Sequence, residues 1–198
     1  FDGGDGIDAV DYSFSPAAIG VTVNLQSGAG EGGDAAGDRY LNIENARGAG
    51  FDDLIIGDGR SNTLFGFAGV DTLSGLGEND FIDGGAGADT LDGGAGNDTL
   101  IGGTGGDLLQ GGDGIDTADY SGSGPDIGDR GISINLLLAQ ASGGDAQGDR
   151  LFGIERVSGS IFRDLIDGDA QDNLFLGAAA SDTLAGFDGA DTLFGGEG

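Results

Sequence analysis

The chain has 198 residues and a formal net charge of −28, with 35 acidic residues against seven basic ones and no His, Cys, Met or Trp. All seven basic residues are arginines, so Ser–His and Cys–His nucleophiles, lysine Schiff bases and the nitrogen and sulfur ligands of zinc are excluded. So sparse a basic complement also excludes nucleic acid as a partner, because phosphate contacts need positive charge. The acids are 30 aspartates and five glutamates, set among 46 glycines. Uncompensated charge of this size opposes collapse, which leaves a disordered acidic chain or a fold that takes up cations. Aspartates placed beside glycines favour ligand-bearing turns, and hard oxygen donors in quantity suit Ca²⁺. No signal peptide and no apolar run able to enter or span a membrane is read in the sequence.

In chain order, residues 1–11 read as the end of a preceding roll, with Gly3–Asp11 spelling GGDGIDAVD after the tail of an earlier block. Residues 12–47 interrupt the pattern. The alternation Val21/Val23/Leu25 predicts a half-buried strand that caps or extends a roll. The acidic loop Gly33–Asp38 reads as a solvated turn, with a peripheral calcium site as the alternative. From Gly48 to Asp119 the chain divides into eight nine-residue blocks without a gap, the clearest being GGAGADTLD from Gly84, GGAGNDTLI from Gly93, GGTGGDLLQ from Gly102 and GGDGIDTAD from Gly111. Residues 120–158 form a second interruption, with Ile132/Ile134/Leu136 and the loop Gly144–Asp149 repeating the first plan. Residues 159–198 hold four poorer blocks and the opening of another, so the chain is expected to be a piece of a longer array. Phe51-Asp52-Asp53-Leu54-Ile55 returns as Phe162-Arg163-Asp164-Leu165-Ile166, an offset of 111 that makes the chain two tandem copies of one unit.

Each block opens on a glycine-rich stretch that turns tightly and ends in Asp at position six, then gives three β-prone residues. Two blocks make one coil, and coils stack at the strand spacing of a sheet, about 4.8 Å. Asp71, Asp89 and Asp107 then line one edge, and Asp80, Asp98 and Asp116 the other. Leu73, Leu91 and Leu109 stack inside from one side, with Ile82, Leu100 and Ala118 from the other. Two carboxylates about 5 Å apart repel by about 3 kcal/mol at an effective dielectric of about 20, and a Ca²⁺ between them reverses the sign. One aliphatic side chain per block buries too little to offset the ordering of nine residues, so metal binding is expected to supply folding free energy. The carboxylate candidates are Asp8, Asp53, Asp71, Asp80, Asp89, Asp98, Asp107, Asp116, Asp164, Asp182 and Asp191. Backbone carbonyls of Gly85, Gly87, Gly94, Gly96, Gly103, Gly105, Gly112 and Gly114 are expected to complete the shells. Asn62 and Asn173 replace Asp with a neutral, weaker donor.

The pattern G-G-x-G-x-D-x-U-x resembles the RTX (repeats-in-toxin, hemolysin-type) calcium-binding repeats. The interruptions Asp8–Ser13, Gly20–Leu25 and Ile43–Ala46, with their second copies, resemble the C-terminal β-roll of serralysin-type proteases. That resemblance implies an all-β fold, a parallel β-roll (β-solenoid) holding several Ca²⁺ ions. It makes Glu44 and Glu155 further candidate metal ligands, the alternative being a salt bridge or cap with Arg47 or Arg156. It implies export by a type I system, and a secreted or cell-surface location on a Gram-negative bacterium. The zinc helix H-E-x-x-H of the protease is absent here, and the periodic acids leave no odd carboxylate pair for a hydrolase, so no enzymatic activity is expected. The leading reading is a calcium-triggered stalk, spacer or surface-layer element. The second is an accessory binding module of a secreted enzyme, either polysaccharide-processing as in alginate epimerases or serralysin-like. Polysaccharide binding would call for a basic or aromatic strip, whereas the phenylalanines read as packing between coils. Side-by-side self-association and surface contact through a larger parent are the further partners considered.

Overall fold

The computed structural model describes residues 1–16 and 18–198. Among them every regular element is a strand, except two short 3-10 turns at Gly33–Ala35 and Gly144–Ala146. Successive blocks alternate between two faces of a solenoid. On one face strands 63–68, 81–86 and 99–104 pair in parallel, and on the other 54–58, 72–77, 90–95 and 108–113 do the same. Neighbours on a face are one coil of two blocks apart, which sets Leu73 beside Leu91 and Leu91 beside Leu109. Ile82, Leu100 and Ala118 stack in the same way opposite them, and all six side chains are fully buried. The strands of the central blocks run six residues rather than the expected three. They continue through the glycines that open the next block, because pairs such as Gly85–Gly103 and Gly94–Gly112 let adjacent backbones stay within hydrogen-bonding reach.

Of the two outcomes that the alternating pattern allows, a cap or an extension, the interruptions take the second and extend the roll. A single nine-stranded sheet runs through both copies, passing from 9–11 to 45–47 to 63–68, and later from 117–119 to 156–158 to 174–176. On the opposite face each interruption inserts an antiparallel hairpin, 22–24 with 29–31 and 130–135 with 140–142. The first strand of each hairpin pairs in parallel with the first strand that follows the interruption, 54–58 or 163–167. The chain then returns to join the coil before it, through the Asp2–Leu41 bridge in one copy and the pairing of 150–152 with 108–113 in the other. Extra strands on one face only must be filled from inside. Tyr12, Val21, Val23, Tyr40 and Ile43 do so in the first copy, and Tyr120, Ile132, Ile134, Leu151 and Ile154 in the second. Ala35 and Ala146 are fully buried and anchor the two acidic loops to this core. Asp34, Ala36 and Gly37, and in the second copy Gln147 and Gly148, stay exposed as expected of solvated turns.

Candidate metal centre

Along each edge the position-six carboxylates form a hydrogen-bonded column. Asp71 Oδ1 accepts from the Asp53 N–H at 2.7 Å, Asp89 from Asp71 at 2.8 Å, and Asp107 from Asp89 at 2.9 Å. On the other edge Asp80 accepts from Asn62 at 2.7 Å, Asp98 from Asp80 and Asp116 from Asp98 at 2.8 Å each. One oxygen of every carboxylate is thereby fixed by the coil before it. The other, Oδ2, is buried with no hydrogen-bond partner in Asp8, Asp71, Asp80, Asp89, Asp98, Asp107, Asp116 and Asp182. A buried acceptor without a partner is costly, and an anionic one more so. Burial pushes the Asp71 and Asp80 carboxyls up to about 7 and Asp89 to about 6. Asp98, Asp107 and Asp116 also lie above the usual carboxylate range, again chiefly through burial.

The second residue of each block decides whether that oxygen is free. Where its φ is positive, as at Gly4, Phe67, Leu76, Gly85, Gly94, Gly103, Gly112 and Ala178, Oδ2 has no partner. In four other blocks the second residue turns its N–H inward onto the position-six side chain. Ala49 donates to Asp53 Oδ2 at 2.6 Å, Asp58 to Asn62 Oδ1 at 2.7 Å, Ser160 to Asp164 Oδ2 at 2.7 Å and Asp169 to Asn173 Oδ1 at 3.0 Å. The remaining oxygens of Asp53 and Asp164 clamp the hairpins, accepting from Val21 N–H at 2.7 Å and Ile132 N–H at 2.8 Å. The blocks thus fall into open and closed turns, and the two closed pairs directly follow the two interruptions. Phe67, Leu76 and Ala178 adopt left-handed backbone without being glycine, a strained state that persists only where the surroundings impose it.

Carbonyl oxygens converge on the open turns. A Cβ placed on Gly84 would lie 2.6 Å from Asp89 Oδ2 and 2.8 Å from the Gly102 carbonyl oxygen, so only glycine leaves that cradle empty. The same holds at Gly66, between Asp71 Oδ2 at 2.5 Å and the Gly84 carbonyl at 2.6 Å. These position-one carbonyls were not singled out from the sequence. The eight glycines expected to give carbonyls all have positive φ, and the carbonyl oxygens of Gly85, Gly87, Gly94 and Gly96 fill the space that a Cβ would need on Gly103, Gly105, Gly112 and Gly114 one coil on. Among the described residues no three acidic side chains gather in one place. Each open turn brings a carboxylate oxygen to a wall of carbonyls, a donor set of oxygen alone.

The model of the RTX calcium-binding nonapeptide repeat (4 copies) matches residues 47–82, 65–100, 83–118, 151–184 and 167–198, more than half of the chain. The chain belongs to the RTX calcium-binding repeat family. Repeats of this family bind calcium, and the oxygen-only cradle and orphaned Oδ2 atoms of this RTX chain fit that ion. No curated protein matches the chain.

Glu44 and Glu155 occupy the end of a column in each copy. Glu44 Oε2 accepts from the Asp8 N–H at 3.0 Å, and Glu155 Oε2 from the Asp116 N–H at 2.9 Å. Glu44 Oε1 is taken by Arg60, which also holds Asp58, so its cationic partner is neither of the arginines considered from the sequence. Arg47 instead pairs with Asp11 at 3.5 Å. Arg60 stands at position four of the block whose position six is Asn62, and Asn62 Nδ2 donates to the Glu44 carbonyl at 2.7 Å. A guanidinium thus supplies positive charge in a turn that has lost its own carboxylate. Asp191 keeps the column contact, accepting from the Asn173 N–H at 2.9 Å, but is only half-buried.

Proposed function

We propose that this chain is a calcium-folded structural module of a secreted protein, a stalk, spacer or surface element that orders outside the cell. The single observation that carries the reading is the row of buried, partnerless Oδ2 atoms. In the proposed assignment Asp71, Asp80, Asp89, Asp98, Asp107 and Asp116 each give Oδ2 to a Ca²⁺, with Asp8 and Asp182 as outlying members. Position-one carbonyls such as Gly84 and Gly102 complete the shells, together with carbonyls of the following glycines. Asp53, Asn62, Asp164 and Asn173 take no ion, because their oxygens already accept hydrogen bonds. Glu44 and Glu155 act as ends of the columns.

Calcium supplies two positive charges per site to a body whose own carboxylates repel. Without it the buried oxygens must be protonated or the coils must open, so folding and metal binding are one equilibrium. A cytoplasm poor in calcium would keep such a chain unfolded for export, and an exterior rich in it would fold it. A structural rather than catalytic role is supported by the periodic use of the acids and by the absence of His, Cys and Lys. No helix among the described residues is long and apolar enough to cross a membrane.

Far-UV circular dichroism during a Ca²⁺ titration, with Mg²⁺ and a chelator as controls, tests the reading. A cooperative gain of β signal with Ca²⁺ alone, reversed by the chelator, is expected. A chain already folded in chelator at about pH 8, where the buried carboxyls are ionised, would overturn it.

A further inference from the structure

The second hairpin carries a basic groove that the first has no residues to form. Arg130 and Arg163 stand directly opposite each other on the paired strands 130–135 and 163–167, and both are exposed. Neither enters an ion pair; those among the described residues join Arg47 to Asp11 and Arg60 to Glu44 and Asp58. Like charges opposite each other across a strand pair are unfavourable. The exposed Asp126 and Asp129 lie close by, Asp126 donating its N–H to the Arg130 carbonyl and the Asp129 carbonyl accepting from the Arg163 N–H. Neither carboxylate reaches ion-pair distance of an arginine.

Arg150, its guanidinium 5.2 Å from the centre of the Phe152 ring, lies beyond the hairpin's second strand. The three arginines border two adjoining depressions of about 460 and 500 Å³, which share Ser133 and Ser142. Asn135 and Gln140 line the first depression. Of the acids in the lining, Asp149 and Asp164 are buried with their oxygens engaged, which leaves Asp126 as the exposed one. Three exposed positive charges therefore face one exposed carboxylate in the lining, Asp126, and a second beside it, Asp129.

At the offset of 111 residues the first copy places Ile19, Arg39, Asp52 and Glu31 where the second has Arg130, Arg150, Arg163 and Ser142. Those four positions carry one positive and two negative charges in the first copy, and three positive charges in the second. The groove is therefore particular to one hairpin and is not required by the architecture.

We propose that this groove binds an acidic polysaccharide. The planar guanidinium groups of Arg130 and Arg163 take a carboxylate or sulfate, for which their forked donors are matched. The hydroxyls of Ser133 and Ser142 and the amide of Gln140 meet the sugar hydroxyls along the strand, while the Asn135 amide is already engaged by the Leu138 N–H and Asp167. The acidic bulk of the chain does not forbid this, since exposed charges more than about 8 Å away are largely screened at physiological salt. The inference rests on the calcium-folded reading only in requiring that the sheet be formed.

The test is isothermal titration calorimetry of the calcium-loaded chain with short oligogalacturonates, a sulfated dextran oligomer and neutral dextran. Binding of an acidic oligomer but not the neutral one is expected, and its preference separates carboxylate from sulfate. The R130S/R163S double variant should bind at least 10-fold more weakly while its Ca²⁺ titration by circular dichroism stays unchanged. The R39S variant in the first copy should bind like the parent chain. Absence of binding by both acidic oligomers, or a double variant that binds like the parent, would overturn the proposal. A parent chain that shows no calcium transition would instead overturn the reading beneath it.

Discussion

The Tyr120 hydroxyl donates to Asp149 Oδ2 at 2.8 Å, while Asp149 Oδ1 accepts from the Asp107 N–H at 2.8 Å. Asp149 thus forms the next rung of the Asp53–Asp71–Asp89–Asp107 column, although 42 residues separate it from Asp107. Unlike the preceding open rungs it keeps no free oxygen, and the column ends on a phenol instead of a cation. Burial pushes its carboxyl to about 7 and lifts the Tyr120 hydroxyl well above its ordinary value. In the first copy Tyr12 donates in the same way to Asp38, with Tyr40 2.8 Å away. Tyr120→Phe leaves a buried carboxylate oxygen without its donor, which costs about 1–3 kcal/mol. Thermal unfolding in saturating Ca²⁺ should show a lower Tm with an unchanged number of bound ions. An unchanged Tm would mean that the phenol contributes nothing to closing the column.

Open and closed turns predict opposite phenotypes for the same substitution. Asp98→Ala removes an oxygen that has no protein partner, so the count of bound Ca²⁺ should fall and the folding midpoint should move to higher Ca²⁺. Asp53→Ala removes acceptors already engaged by Val21 and Ala49, so the ion count should hold while the calcium-loaded chain melts earlier. Calorimetric titration gives the count and a melt gives the stability. Equal ion loss in both variants would refute the division.

How much of this was legible in the sequence depends on which spacing carried the information. A period of nine fixes which residues stack, so the Leu73–Leu91–Leu109 ladder and the edge columns follow from counting. Sequence spacing cannot place a hairpin that pairs out of order: Arg150 meets Leu108 across 42 positions, and Val21 meets Asp53 through an inserted strand. The closed turns were hidden for a different reason. Position six reads Asp in both Asp53 and Asp80, and the distinction lies in the backbone of residues 49 and 76. A usable signal did exist, since Ala49, Asp58, Ser160 and Asp169 are all non-glycine at position two. Phe67, Leu76 and Ala178 defeat that signal by adopting the left-handed state anyway.

Acidity should act on metal-free and calcium-bound chains in opposite senses. Asp71 and Asp80 titrate near 7 and Asp89 near 6 in the fold, all above the ordinary value of 3.8. Between about pH 4 and pH 7 the folded state holds protons that the unfolded chain has released. Linkage then gives the metal-free fold stability that is fully present below about pH 4 and is lost as pH rises through 7. Calcium must displace those same protons, so its apparent affinity should weaken as pH falls below 7. In chelator the β signal should therefore grow on acidification from pH 8 to pH 4.5. The Ca²⁺ midpoint should be higher at pH 5.5 than at pH 7.5, and equal midpoints would show that the buried oxygens are not where calcium binds.

Leu76 separates strain from chemistry within a single turn. Its φ of 79° is unfavourable for a residue with a Cβ, and the Asp80 of its block has a partnerless Oδ2. A Leu in the left-handed region costs about 1–2 kcal/mol that glycine avoids. Glycine also gains disorder in the unfolded chain, which returns part of that amount. Leu76→Gly should therefore stabilise the calcium-loaded chain by about 1 kcal/mol and lower its Ca²⁺ midpoint, without changing the ion count. If the turn were instead free to relax into the closed form, the Leu76 N–H would reach Asp80 and the parent chain would bind one ion fewer than Leu76→Gly. Calorimetry on the two chains distinguishes these outcomes, because the strained turn predicts the same count in both.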